Sequence, residues 1–346
     1  MKKKMLGFMA MVMAGVMLMT GCAGTKEAAS GAAVESQKET VAAEGKEKSP
    51  EGKTYKVAAI VKSQSEVWAA WLSKSLQNRA KDFPDMEITL FDAQNDQTKT
   101  VQYIEMAVTQ KFDLIIVQKV AASDTNELFQ SVVNDDGIPI IAVNIPVDDG
   151  VTYNIPAPNY DLGYTMGEVA AKNLPENANI LIMRGKVVDV EQQRYNGLKA
   201  ALLDKRPDIT VLDEKVANYS RDEGMKLMEN WLQVYPDFDG LIALSDSMAI
   251  GGVEACKAVQ NFNFDEVQIY GVDGLADSCL AIKDGKMTAT VLQDADLMAK
   301  EAIELGHKIL TGEVTERQDI MIKTEVIDKS NVDSYIAKHK ENGILE

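Results

Sequence analysis

The sequence predicts an α/β protein of two doubly wound, parallel-sheet lobes joined by a hinge that the chain crosses more than once. Three observations carry this. From Tyr55 to about Leu310, short β-branched apolar runs alternate with longer segments of helical period. The short runs are continuously apolar rather than alternating, the mark of strands buried on both faces of a parallel sheet. The alternation completes one set and then begins again, in a chain long enough for two domains.

The first set opens with a strand over 56–61, Lys-Val-Ala-Ala-Ile-Val, and a helix over 67–83. Strands at 87–91, 114–117 and 139–143 follow, each rich in Ile, Leu, Val or Phe, with helices at 98–110 and 124–134 between them. The second set starts on a helix at 163–173. Its strands fall at 179–183, 209–212, 240–244 and 267–272, and its helices at 192–203, 221–235 and 247–259, with Trp231 on an apolar face. A helix at 277–284, a strand at 288–292, a long helix at 294–310 and a strand at 319–326 remain. These are too few for a third domain and are expected to complete the two lobes. Such lobes form a cleft between the carboxyl ends of their sheets, where ligands bind.

The N-terminus bears on the compartment. Lys2, Lys3 and Lys4 precede an apolar run over 5–20, which ends at Gly21-Cys22. This is the pattern of a secretory signal, and the run is short of the ~20 residues that span a membrane. With Leu18, Met19 and Gly21 ahead of Cys22, the ending resembles the lipobox of bacterial lipoproteins, in which the cysteine carries the lipid. Residues 23–53 show no apolar periodicity and are expected to form a disordered tether.

Composition excludes several classes. The formal charge is −17, and removing the three signal lysines makes it −20, so nucleic acid is not an expected partner. Cys256 and Cys279 lie in apolar helical stretches and are expected as buried free thiols rather than a disulfide framework. The two histidines, His307 and His339, both fall near the C-terminus, so Ser-His or Cys-His pairs and His-rich metal sites have little material. No P-loop and no G-x-G-x-x-G after a strand occurs, so no nucleotide cofactor is expected.

Four segments carry a resemblance: 92–99 (Asp-Ala-Gln-Asn-Asp-Gln-Thr-Lys), 245–251 (Ser-Asp-Ser-Met-Ala-Ile-Gly), 271–274 (Gly-Val-Asp-Gly) and 289–293 (Ala-Thr-Val-Leu-Gln). In this order and spacing the chain, over about 56–323, resembles the type 1 periplasmic sugar-binding proteins of ABC importers, the ribose- and galactose/glucose-binding proteins above all. The N-terminal reading sets a signal peptide at 1–21 and a lipidated Cys22 with its tether to 53. The resemblance implies a first lobe of 54–157 with 294–321, a second of 158–293 with 322–336, and a tail from 337. Hinges are expected near Pro158, Gln293 and Met321.

A sugar presents apolar C–H faces and a ring of hydroxyls, so its site needs flat aromatics and planar polar groups. The resemblance places Trp68 where the family stacks an aromatic on the sugar, with Trp71 as the core residue of that helix. It assigns Glu66, Gln118 and Asn144 as polar ligand contacts from the first lobe. From the second come Arg194, Tyr219, Asp273 and Gln293, with Ser245 where relatives carry Asn. Asp273, a carboxylate between glycines at a strand end, is the strongest of these. Lys62 stands where relatives carry Ser or Tyr; it either pairs with Glu66 or meets the ligand. Ile145 replaces the arginine of the ribose type, and 174–179 lacks the oxygen ligands of the galactose-type Ca²⁺ loop.

The function so implied is an extracytoplasmic, monomeric lipoprotein that captures a small sugar or polyol and delivers it to an ABC permease, with no catalysis and no cofactor. An alternative is a ligand presenter to a membrane receptor kinase. Sugar-sensing repressors share the core but carry a DNA-binding segment ahead of it, where this chain has a signal peptide.

Overall fold

The computed structural model describes residues 52–120, 125–186 and 188–346. The expected signal peptide, Cys22 and nearly all of the tether lie outside the described residues.

The first sheet is five-stranded and parallel, in the order β2-β1-β3-β4-β5. Its strands are β1 (Tyr55–Val61), β2 (Met86–Asp92), β3 (Leu114–Val117), β4 (Ile140–Asn144) and β5 (Tyr153–Pro156). Alternation along β1 shows why the strands read as unbroken apolar runs. Val57, Ala59 and Val61 enter one core with Trp71, Leu72 and Leu76 of α1 (Val67–Ala80). Ala58 and Ile60 enter the other, with Ile104 and Ala107 of α2 (Gln97–Thr109) and Phe129 and Val132 of α3 (Asn126–Asn134). Both faces are covered, so neither tolerates a polar side chain.

The second sheet has six strands in the order β11-β10-β9-β8-β6-β7. These are β6 (Asn179–Arg184), β7 (Thr210–Val216), β8 (Gly240–Ala243), β9 (Gln268–Asp273), β10 (Ala289–Leu292) and β11 (Val326–Asp328). All pairs are parallel except β10 with β11. The helices of this half are α4 (Asn159–Asn173), α5 (Asp189–Leu198), α6 (Arg221–Val234), α7 (Asp246–Ala258) and α8 (Ala276–Lys283). The long α9 (Ala295–Leu310) returns to pack on α1, and α10 (Val332–Glu341) packs on α8.

The chain passes between sheets three times. It leaves the first after β5 and enters α4 at Asn159, with Pro158 ahead of the helix. It returns between β10 and α9, at Gln293 and Asp294. It leaves again after Asp319 and Ile320, which still bond to Asn154 of β5, and reaches the second sheet at Val326.

Four expectations differ from the structure. β5 has no counterpart among the predicted strands; it holds Asn154 and Pro156, and its place at the sheet edge is what tolerates that proline. The strand expected over 319–326 is a crossing segment with a single bridge at Asp319, and strand pairing is confined to Val326–Asp328. The helix expected over 192–203 is α-helical only to Leu198 and continues as a π-helical turn, Lys199–Leu203. The expected tail from 337 is the end of α10 and a packed C-terminal turn, because His339 is buried and Ile344 and Leu345 lie against the core. Cys256 and Cys279 are free and buried, as expected.

Candidate functional site

Each sequence-predicted site residue stands at the carboxyl end of a parallel strand or on the segment that follows it. Lys62 follows β1, Glu66 precedes α1 and Trp68 lies in its first turn. Gln118 follows β3, and Asn144 ends β4. Arg194 is on α5 after β6, Tyr219 follows β7, Ser245 follows β8, Asp273 ends β9 and Gln293 follows β10. Parallel strands put all these ends on one side of their sheets.

Arg194 is the centre of the second-lobe group, with only 4% of its surface exposed. Its Nη1 donates to Asp273 Oδ1 at 3.2 Å and to the Leu244 carbonyl at 2.8 Å. Its Nε donates to Asn159 Oδ1 at 3.2 Å, and Nη2 donates to Gln293 Oε1. Asn159 begins α4 and Gln293 lies between β10 and α9, so the guanidinium bonds to side chains at two of the three crossings. Trp68 adds a contact from the first lobe, its indole N–H donating to the Gln293 carbonyl at 2.8 Å.

The turn at Asp273 is conformationally demanding. Asp273 has φ +128° and Gly274 φ +74°, and only the glycine adopts such a backbone freely. Behind the turn lies Asp246, fully buried, which accepts from Thr290 Oγ1 at 2.7 Å and from the Leu275 N–H at 2.8 Å. Gly271 leaves it room, since a Cβ there would stand 2.1 Å from Asp246 Oδ1. Burial pushes the Asp273 carboxyl up from its ordinary value; the Arg194 guanidinium opposes this and the Asp246 charge adds to it. Burial likewise raises Asp246, against the pull of its hydrogen bonds.

Two of the predicted residues hold buried polar atoms with no hydrogen-bond partner among the described residues: Asn144 Oδ1 and the Tyr219 hydroxyl. Such groups cost on the order of 1–3 kcal/mol each unless something bonds to them. Tyr219 has φ +60°, and its ring fills the space beside Gly185, where a Cβ would meet Cζ at 2.1 Å. Its hydroxyl is pushed up to about 12 by burial, and it lies close enough to Arg194 and Asp273 to feel their charges.

Lys62 Nζ pairs with Glu66 Oε2 at 3.0 Å, and the Lys62 N–H donates to Gln118 Oε1 at 3.1 Å. Ser245 is the N-cap of α7, accepting from the Met248 N–H at 3.5 Å, and among the described residues no hydrogen bond joins it to the Arg194 group. Asn159, Asp246, Thr290 and the fully buried Lys119, 6.0 Å from the Phe129 ring, were not foreseen. Asp246 sits inside the Ser-Asp-Ser-Met segment and Lys119 beside Gln118, so proximity to those was the available signal. Among the described residues no group of three or more His, Cys, Asp or Glu side chains could hold a metal ion.

Residues 57–314 match the family described as periplasmic binding protein domain. The chain belongs to that family. Its relatives there are type 1 sugar-binding proteins of ABC importers. A putative rhizopine-binding protein of Rhizobium meliloti is 29% identical over 275 residues, 78% of this chain and 88% of that protein. The ribose import binding protein of Bacillus subtilis is 26% identical over 267 residues, 77% of this chain and 85% of that protein. Among solved structures, an ABC transporter solute binding protein of Bacillus halodurans with bound myo-inositol is 29% identical. It covers 84% of this periplasmic binding protein and is itself covered over 100% of its length, with a TM-score of 0.74.

Proposed function

We propose that this periplasmic binding protein captures a small, uncharged polyhydroxylated ligand, a sugar or polyol, between its two lobes and delivers it to an ABC importer without chemical turnover. One observation carries the reading. The buried Arg194–Asp273–Gln293–Asn159 group at the ends of the second sheet is accompanied by two buried, unpartnered polar atoms, Asn144 Oδ1 from the first lobe and Tyr219 Oη from the second. Hydroxyls both donate and accept, so a polyol satisfies a carboxylate, an amide and a phenol together. Relatives described as binding ribose, xylitol and myo-inositol support the class.

A thermal-shift panel of D-ribose, D-allose, xylitol and myo-inositol tests it. Saturation at 100 Kd adds about 2.7 kcal/mol to the stability. If no member of the panel raises the melting temperature, the reading is wrong.

Export and anchoring through Cys22 belong to the same proposal. Expressed in a bacterium that processes lipoproteins, the wild type should take up an acyl label and Cys22→Ala should not. Equal labelling of both would sink the anchor.

A further inference from the structure

The C-terminal helix lies outside the family match, which ends at residue 314, yet it touches the candidate site. α10 buries Val332, Tyr335, Ile336 and His339, an i, i+3, i+4, i+7 stripe, against the second lobe. His339 ends that stripe with 3% of its surface exposed, and its Nε2 donates to the Gly274 carbonyl at 2.9 Å. A carbonyl only accepts, so Nε2 carries the proton. Gly274 directly follows Asp273 in the left-handed turn described above.

The other backbone groups of that turn are each held by a different element. The Gly274 N–H reaches Thr290 Oγ1 at 3.3 Å and the Leu275 N–H reaches Asp246 Oδ2 at 2.8 Å. The Asp273 carbonyl accepts from the Gln293 N–H at 3.1 Å. The Gly274 carbonyl has His339, with the weakly donating Cys279 thiol at 3.9 Å as its other contact.

The same imidazole meets the first lobe. Its ring stands edge-on to Trp71 of α1, with centroids 4.9 Å apart and planes at 64°. Trp68, Trp71, Lys74 and Asn78 share one stripe of α1. Trp68 bonds to the Gln293 carbonyl, Lys74 to the Gly343 carbonyl and Asn78 to the Asn342 carbonyl, the last at 3.1 Å. A single helix face of the first lobe thus rests on a hinge residue and on the C-terminal segment, with His339 between them.

We propose that His339 is a positioning residue for ligand capture: it locks the Asp273–Gly274 turn and ties that turn to α1 of the opposite lobe. The proposal rests on the reading of Asp273 as a ligand group. A donor on the Gly274 carbonyl keeps the peptide from rotating, and therefore keeps the Asp273 carboxylate aimed at Arg194 and the cleft.

His339→Leu removes the donor at similar volume, whereas His339→Gln keeps an N–H at similar reach. The first measurement is amide hydrogen exchange of the peptide spanning 270–280 in the unliganded protein. Exchange at Gly274 and Leu275 should rise about tenfold in H339L and return towards wild type in H339Q. The second is titration calorimetry with D-ribose, xylitol and myo-inositol. Whichever probe the wild type binds should lose about tenfold in affinity in H339L and recover in H339Q. If H339L fails to fold, His339→Asn, polar but too short to reach the carbonyl, takes its place. Unchanged exchange across 270–280, even with a lower melting temperature, overturns the proposal, and so does wild-type affinity in H339L. If the wild type binds no probe, the functional reading fails, while the exchange measurement still decides whether His339 holds the turn.

Discussion

A guanidinium has five N–H donors, and Arg194 directs four of them at Asn159, Leu244, Asp273 and Gln293. Its charge is matched by Asp273, so a ligand meets a pre-arranged neutral pair rather than a bare cation. Arg194→Ala would leave Asp273 buried without its counter-charge, at a cost of about 3–5 kcal/mol in stability. It should also abolish binding, which denaturant titration and calorimetry would read separately. Asp273→Ala should weaken binding by about 2–5 kcal/mol; wild-type affinity in that variant would move the site elsewhere. Asp246 permits a pH test. Burial pushes it up from its ordinary value. A carboxyl raised in the folded state keeps its proton where the unfolded chain has lost it, so its contribution to stability falls as pH rises from about 4 towards its raised value. Asp246→Asn removes that titration. Its stability should therefore climb more steeply with pH across this window than the wild type's, by up to ~1.4 kcal/mol per pH unit. Parallel stability–pH curves would show that Asp246 does not titrate there.

At the scale of elements, α4 and α5 fix where Arg194 sits. Gly163 and Gly197 let these helices touch backbone to backbone: a Cβ on Gly163 would stand 1.8 Å from the Arg194 carbonyl oxygen, and one on Gly197 2.1 Å from that of Tyr160. Gly163→Ala must push α5 away and carry Arg194 with it. Overpacking of this kind costs about 1–3 kcal/mol, and here ligand affinity should fall as well. A destabilised variant with unaltered affinity would mean that α5 moves without disturbing the guanidinium. The long elements were legible because both cores repeat the period of their strands and helices. β5 was not, since pairing with β4 overrides a poor strand composition in Tyr153–Pro156. The π-helical turn at Lys199–Leu203 carried no local mark either.

For the molecule as a whole, the groups proposed to hold the ligand come from both lobes and several are deeply buried: Gln118 is 2% exposed and Asp273 7%. On the proposed reading, a ligand reaches them when the lobes part and then favours the closed form by contacting both. On the same reading, the three crossings absorb that motion. Small-angle scattering should give a smaller radius of gyration with saturating ligand than without. An identical radius in both states, with binding verified by calorimetry, would refute closure around the ligand.

The sequence by itself determined the α/β class and the doubled set of strands and helices, because both rest on local periodicity; the polar site residues come from the family resemblance. Asp273 and Gln293 lie in the short segments that carry the resemblance, and Arg194 is assigned by the resemblance alone. Tertiary structure decided who meets whom. Lys62 turned to Glu66, Ser245 to the cap of α7, and Asn159 and Asp246 came to hold Arg194 and the Asp273 turn. The contacts of Asn159 and Asp246 join residues 35 and 29 positions apart. Only the packed lobes and the three crossings bring such groups within hydrogen-bond reach. The C-terminal helix shows this most plainly: residues 337–346 read as a tail until His339 is seen against Gly274 and Trp71.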